Sequence, residues 1–147
     1  MTHPFTVSLV SWHDGEPLLR AIREAVFMRE QSVSAELEWD GLDDACRHAL
    51  ALSAKGAAVG CGRILPPRGE KPARVGRLAV LPEWRGKKVG TALLEALLDY
   101  ARSMHYPEVT VNAQVQALPF YGRFGFETEG KEFLDAGIPH IRMRLSL

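Results

Sequence analysis

The chain has 147 residues, and its 18 lysines and arginines balance 18 acidic residues. That length suits one domain, 1–147, which buries roughly two thirds of its unfolded surface without staples, and the balanced charge argues against a nucleic-acid binder that needs a broad cationic face. Cys46 and Cys61 lack metal-type spacing, the five histidines form no HExxH pair, and no signal-like start or bilayer-length apolar run is present; no metal, no membrane and a reduced cytoplasmic setting are expected.

In chain order, Phe5 to Val10 reads as a strand. Pro17 to about Glu30 reads as an amphipathic helix with Leu18, Leu19, Ile22, Val26 and Phe27 inward. Gln31 to Asp44 is a polar, acid-rich connection of loop with some helix. Arg47 to Ser53 and Ala57 to Leu65 pair as strands across the Lys55-Gly56 turn, and Pro66 to Lys71 is a charged loop. From Arg74 to Leu81, Val75, Leu78, Val80 and Leu81 give a mostly apolar strand that Pro82 ends.

The run that follows, Arg85-Gly86-Lys87-Lys88-Val89-Gly90, is electrostatically backward for an empty helix start. A helix N-terminus presents unpaired amides and the positive end of the macrodipole, so each exposed cation in its first turn costs roughly 0.3–1 kcal/mol. No Ser, Thr, Asp or Asn lies between Pro82 and Gly90 to cap it. A bound phosphate would supply the missing anion, and Gly86 and Gly90 would let backbone approach it. The bland alternative is a solvated basic helix start. Val89, Leu93, Leu94, Leu97, Leu98 and Tyr100 then recur at helical spacing through about Met104. The unit is strand, phosphate loop, helix; it fits neither GxxxxGK[ST] nor GxGxxG.

Glu108 to Ala113 reads as a strand, a short helix starts near Pro119 and stops at Gly125, and Phe126 to about Glu132 with Ile138 to Leu145 closes the sheet as a hairpin. The order is β-α-β-β-β-α-β-α-β-β, an α/β mixed sheet flanked by helices. Taken alone, Phe120, Tyr121, Phe124 and Phe126 suit a structural aromatic cluster better than a catalytic role.

Arg85, Val89 and Gly90 resemble the Arg/Gln-x-x-Gly-x-Gly/Ala loop of the GCN5-related N-acetyltransferase (GNAT) superfamily, with Lys88 standing where the first glycine usually is. The segment Gln114 to Phe126 looks like a later motif of that superfamily, in which Phe-Tyr is followed by Gly-Phe. Val26 to Gln31, Glu38 to Asp43 with His48, and Gly137 to Ile141 are similar to its ElaA-like branch. The resemblance implies a GNAT fold with splayed central strands and an acetyl-CoA cosubstrate. It implies a cofactor-binding set of Leu78, Ala79, Val80, Arg85, Gly86, Lys87, Lys88, Val89, Gly90, Thr91 and Gln114. By the same resemblance, Tyr121 donates a proton to the departing thiolate. A thiol of pKa about 8.5 and a phenol of about 10 suit that exchange.

The implied reaction is direct acetyl transfer to an amine of a small molecule or a peptide or protein, with the amine acceptor as partner and a homodimer by family analogy. A non-catalytic acyl-CoA-binding or sensing module is the alternative. An amine of pKa near 10.4 must lose its proton first, and Glu30, Glu38, Asp40, Asp43, His48 and His140 are all candidates for that base. Of these, Glu30, Asp43, His48 and His140 are taken as the substrate-side residues. The alternation with Arg142 and Arg144 sets His140 outside the main core.

Overall fold

The computed structural model describes residues 4–147. The first strand, β1 (Phe5–Val10), ends at Ser11, whose hydroxyl accepts from the Asp14 amide at 3.1 Å and starts α1 (Trp12–Arg23). The start expected at Pro17 is five residues late. Ser11 caps the helix, and the proline is absorbed inside it. From Glu24 to Glu30 the same helix widens to π geometry, closed by the Gln31 amide donating to the Val26 carbonyl at 3.0 Å.

The acid-rich connection carries a single turn, α2 (Ala35–Glu38), and a 3-10 turn at Asp43–Ala45. Strands β2 (Arg47–Ser53), β3 (Ala58–Leu65) and β4 (Ala73–Val80) follow, then α3 (Val89–Ser103), β5 (Glu108–Gln114), α4 (Leu118–Gly122), β6 (Glu127–Asp135) and β7 (Ile138–Ser146). The expected order of elements is borne out. The sheet runs β1-β2-β3-β4-β5-β7-β6, antiparallel except for β4 beside β5.

Helix α3 covers one face, where Leu93, Leu94 and Leu97 pack with Val59, Ile64, Val75, Val109 and Val111. Helix α1 covers part of the other, where Leu19, Ile22, Val26 and Phe27 meet Leu50, Cys61 and Ala79. Cys46 and Cys61 are buried free thiols, and burial pushes Cys61 up to about 12. Among the described residues no helix is long and apolar enough to cross a membrane.

The parallel pairing is brief. It holds from Ala73 opposite Val109 to Val75 opposite Val111, although β4 continues to Val80 and β5 to Gln114. The break coincides with a register shift against β3 between Cys61 and Arg63, and with Arg77 at φ +52°. A bulge bends and twists its strand, and here it parts the two central strands. The splayed sheet read from the resemblance is present.

Candidate active site

Two surfaces meet at the splay. One is the start of α3. Lys88 is its N-cap at φ +66° with no side-chain cap bond, and the first helical bond runs from the Ala92 amide to the Lys88 carbonyl. The amides of Val89, Gly90 and Thr91 therefore precede the helical ladder. Lys88 adopts the left-handed backbone of the glycine it replaces, its side chain exposed, and Gly86 also has positive φ at +76°. Such a backbone costs a lysine of order 1 kcal/mol and persists where the surroundings require it. An uncapped helix start flanked by two positive-φ residues fits a phosphate group.

Two of the three cations of this loop, Arg85 and Lys87, are committed elsewhere. Arg85 donates from Nη1 and Nη2 to Glu30 at 2.8 and 2.7 Å and from Nε to the Val80 carbonyl at 3.0 Å, while Lys87 Nζ donates to the Glu83 carbonyl at 2.9 Å. Glu30, read as a substrate-side residue, lies instead beside the phosphate loop. The Arg85 guanidinium holds its carboxyl below the usual carboxylate value. Leu78, Ala79 and Val80 occupy the part of β4 that has left β5, so their backbone borders the slot.

The second surface is a cavity of about 350 Å³ floored by the sheet where β4 and β5 pair and then part. Its floor follows from the strand register. Arg63 lies opposite Gly76, Thr110 is level with Arg74 across β4 and β5, and Asn112 and Gln114 lie opposite Arg142 and His140. The end of the π turn supplies Phe27 and Gln31, and the β6–β7 hairpin supplies Asp135 and Ile138.

Tyr121 and His140 both line this cavity. Tyr121 sits on α4, its ring packed edge-on between Phe120 and Phe126 at 5.1 and 5.7 Å. Burial alone pushes its phenol well above the ordinary value. The group is a proton donor held neutral. His140 is buried, stacked on Phe133, and its Nδ1 lies 2.6 Å from the Ile138 carbonyl. A carbonyl only accepts, so Nδ1 carries the hydrogen, and the neutral ring has its lone pair on Nε2. It lies on the face of β7 opposite Met143 and Leu145, outside the main core, and is nonetheless buried.

The remaining predicted residues separate. Gln114 is on the cavity and not on the phosphate loop, donating to Gln31 Oε1 at 3.0 Å. Asp43 and His48 lie behind it. His48 is buried on β2 against Trp12, its Nε2 3.0 Å from the Asp43 carbonyl, and burial lowers its basicity.

Asp43 belongs to a buried network. Arg23 donates to Glu38 at 2.6 Å and to Asp43 at 2.5 Å, and Arg63 donates to Asp43 at 2.8 Å and to Asp40 at 2.5 Å. Arg77 closes the set, 3.2 Å from Glu38 and 3.4 Å from Asp40. Burial by itself would raise the Asp40 and Asp43 carboxyls, but the facing guanidiniums outweigh it and lower both. Three cations and three carboxylates thus neutralise one another. Neither Glu38 nor Asp40 is free to act as a base. None of the three arginines was among the sequence candidates. The signal was there for two: Arg23 follows Leu19 by one turn on the apolar stripe of α1, and Arg63 interrupts the apolar run of β3.

A family model described as an acetyltransferase (GNAT) domain matches residues 19–147. The Bacillus subtilis protein described as uncharacterized N-acetyltransferase YjcF is 38% identical over 123 residues, covering 83% of this chain and 86% of that one. Among solved structures, an acyl-CoA N-acyltransferase from Pseudomonas aeruginosa is 30% identical with a TM-score of 0.86, covering 96% and 99% of the two chains. ElaA of Escherichia coli is 30% identical with a TM-score of 0.82, covering 95% and 98%. With the splayed sheet, the uncapped loop at Lys88 and the buried phenol already in place, these likenesses show that the chain belongs to the GNAT family, in its ElaA-like branch, and is an N-acetyltransferase.

Proposed function

We propose that residues 1–147 act as one catalytic unit that moves the acetyl group of acetyl-CoA directly to a primary amine of a small molecule. The observation that carries this reading is the shared cavity of Tyr121 and His140. One is an acid that stays protonated, and the other is a base whose Nε2 is open. In the transfer a C–N bond forms as the C–S bond breaks. Nε2 of His140 takes the amine proton, and the Tyr121 hydroxyl gives its proton to the sulfur. The diphosphate of the cosubstrate would rest on the Val89, Gly90 and Thr91 amides, with Gly86, Lys87 and Lys88 bordering it and Arg85 at its side. The acceptor enters from the opposite mouth of the splay, over Gln31 and Gln114.

A cavity near 350 Å³ is at the small end of small-molecule sites, which favours a compact acceptor over a folded protein surface. The test is thiol release from acetyl-CoA over a panel of amino acids, polyamines, amino sugars, aminoglycosides and lysine peptides, with an amine-free control. Tyr121→Phe should lower the rate about 10²–10⁴-fold while calorimetric affinity for acetyl-CoA stays unchanged. No thiol above the control, or a phenylalanine variant as fast as the parent, overturns the proposal.

A further inference from the structure

Within the acceptor cavity most charges are already matched. Glu38, Asp40, Arg63 and Arg77 belong to the neutral network with Arg23 and Asp43. Farther along the same face of the sheet, Arg142 pairs with Glu129, and Arg144 pairs with Glu129 and Glu108. Two charged side chains of the cavity have no hydrogen bond or ion pair among the described residues: Arg74, half-buried on the floor, and Asp135, exposed on the hairpin rim. A half-buried guanidinium without an anion loses solvation with no compensating partner. A ligand anion would supply one.

The strand register sets the distance this ligand has to span. Arg74 lies level with Thr110, whereas His140 lies opposite Gln114, four residues farther along β5. At about 3.3 Å per residue that offset is about 13 Å of strand, part of which the long arginine side chain covers. Between the two, Gly76 shares the floor with Arg63, and a Cβ built on it would meet nothing within 4 Å. Arg74 and His140 line the same cavity. Asp135 stands at the His140 end of the cavity, where a cationic amine would find an anion.

Resting on the transferase reading above, we infer that the acceptor is an amino acid whose reacting amine lies several bonds from its carboxylate, and that Arg74 receives the carboxylate. An ω-amino acid, or the side-chain amine of a diamino acid, has this form. A polyamine or aminoglycoside, cationic throughout, would leave Arg74 facing another positive charge. Arg74 then decides specificity and takes no part in the proton transfers.

The experiment is calorimetric titration of the full chain, with CoA present, using glycine, 4-aminobutanoate, 6-aminohexanoate and the uncharged 6-aminohexanamide. Affinity should rise along the acid series, and 6-aminohexanoate should bind about 10–100-fold more tightly than its amide, the range for a hydrogen bond to a charged group. Arg74→Met should erase that difference while leaving CoA affinity and melting temperature at the parent values. Equal binding of acid and amide, equal loss of both in Arg74→Met, or no binding of any acid overturns the assignment. Thiol release is read separately with acetyl-CoA. Acids that bind through Arg74 while no amine of the whole panel yields thiol refute transfer and leave the Arg74 assignment standing; turnover confined to amines without a carboxylate does the reverse.

Discussion

Glu30 and Arg85, which lie 55 residues apart, form a two-point ion pair at 2.8 and 2.7 Å between the end of the first helix and the loop before α3. The carboxylate occupies the guanidinium that a diphosphate would need. Both side chains are substantially exposed, at 39% and 44%, so the pair contributes at most about 1 kcal/mol. Glu30→Gln should therefore tighten CoA binding by up to roughly fivefold, with the gain shrinking as salt is raised. Calorimetry at low and high salt checks this. Weaker binding would show instead that Glu30 holds Arg85 in place for its ligand.

His140→Gln should lower kcat/KM about 10²–10⁴-fold near neutral pH. The deficit should narrow as the pH approaches the amine's own value of about 10.4, where the acceptor deprotonates unaided. A rate–pH profile of both proteins tests the point. A deficit that stays constant across the range would mean a structural role.

Gly76→Val places two methyl groups over the cavity floor where nothing lies within 4 Å, at a position whose φ is not in the left-handed region. Folding should survive, and the melting temperature should stay within a few degrees. The acceptor KM should rise at least about tenfold while the KM for acetyl-CoA holds. Equal changes in both would put the acceptor elsewhere.

The network around Arg23 predicts a strong mutational and pH signature. Arg23→Met leaves Glu38 and Asp43 buried with fewer cations and should destabilise the fold by about 3–5 kcal/mol in urea titrations. Asp40 and Asp43 have folded values below those of the unfolded chain. Their contribution is therefore complete above the unfolded aspartate value, near 3.9, and is lost as the pH falls below it toward the lowered folded values. Urea midpoints should already decline between pH 7 and about 5, because burial keeps His48 from taking the proton it takes in the unfolded chain, and drop further below 4. Asp40→Asn and Asp43→Asn should flatten that drop.

Much of the fold was legible because its signals are local. The Lys55-Gly56 turn marked β2 and β3, alternation marked β7, helical spacing marked α3, and the uncapped cationic loop at Lys88 was visible from residue types alone. The start of α1 was misplaced because Pro17 is a stronger signal in sequence than Ser11, whose capping bond depends on where β1 delivers the chain. Six residues competed for the role of base, and nothing local separates a histidine facing a cavity from one packed against Trp12.

The sequence by itself determined the order of elements, the helix start open to an anion and the phenol at position 121, since each depends on neighbours within a few residues. Tertiary structure alone decided that Arg85 meets Glu30, that Gln114 meets Gln31 from 83 residues away, and that Arg23, Arg63 and Arg77 close around three carboxylates. Those partners come together only when the sheet register and the bulge at Arg77 bring distant segments into contact. Burial then sets which charges are matched and which, like Arg74, remain for a ligand.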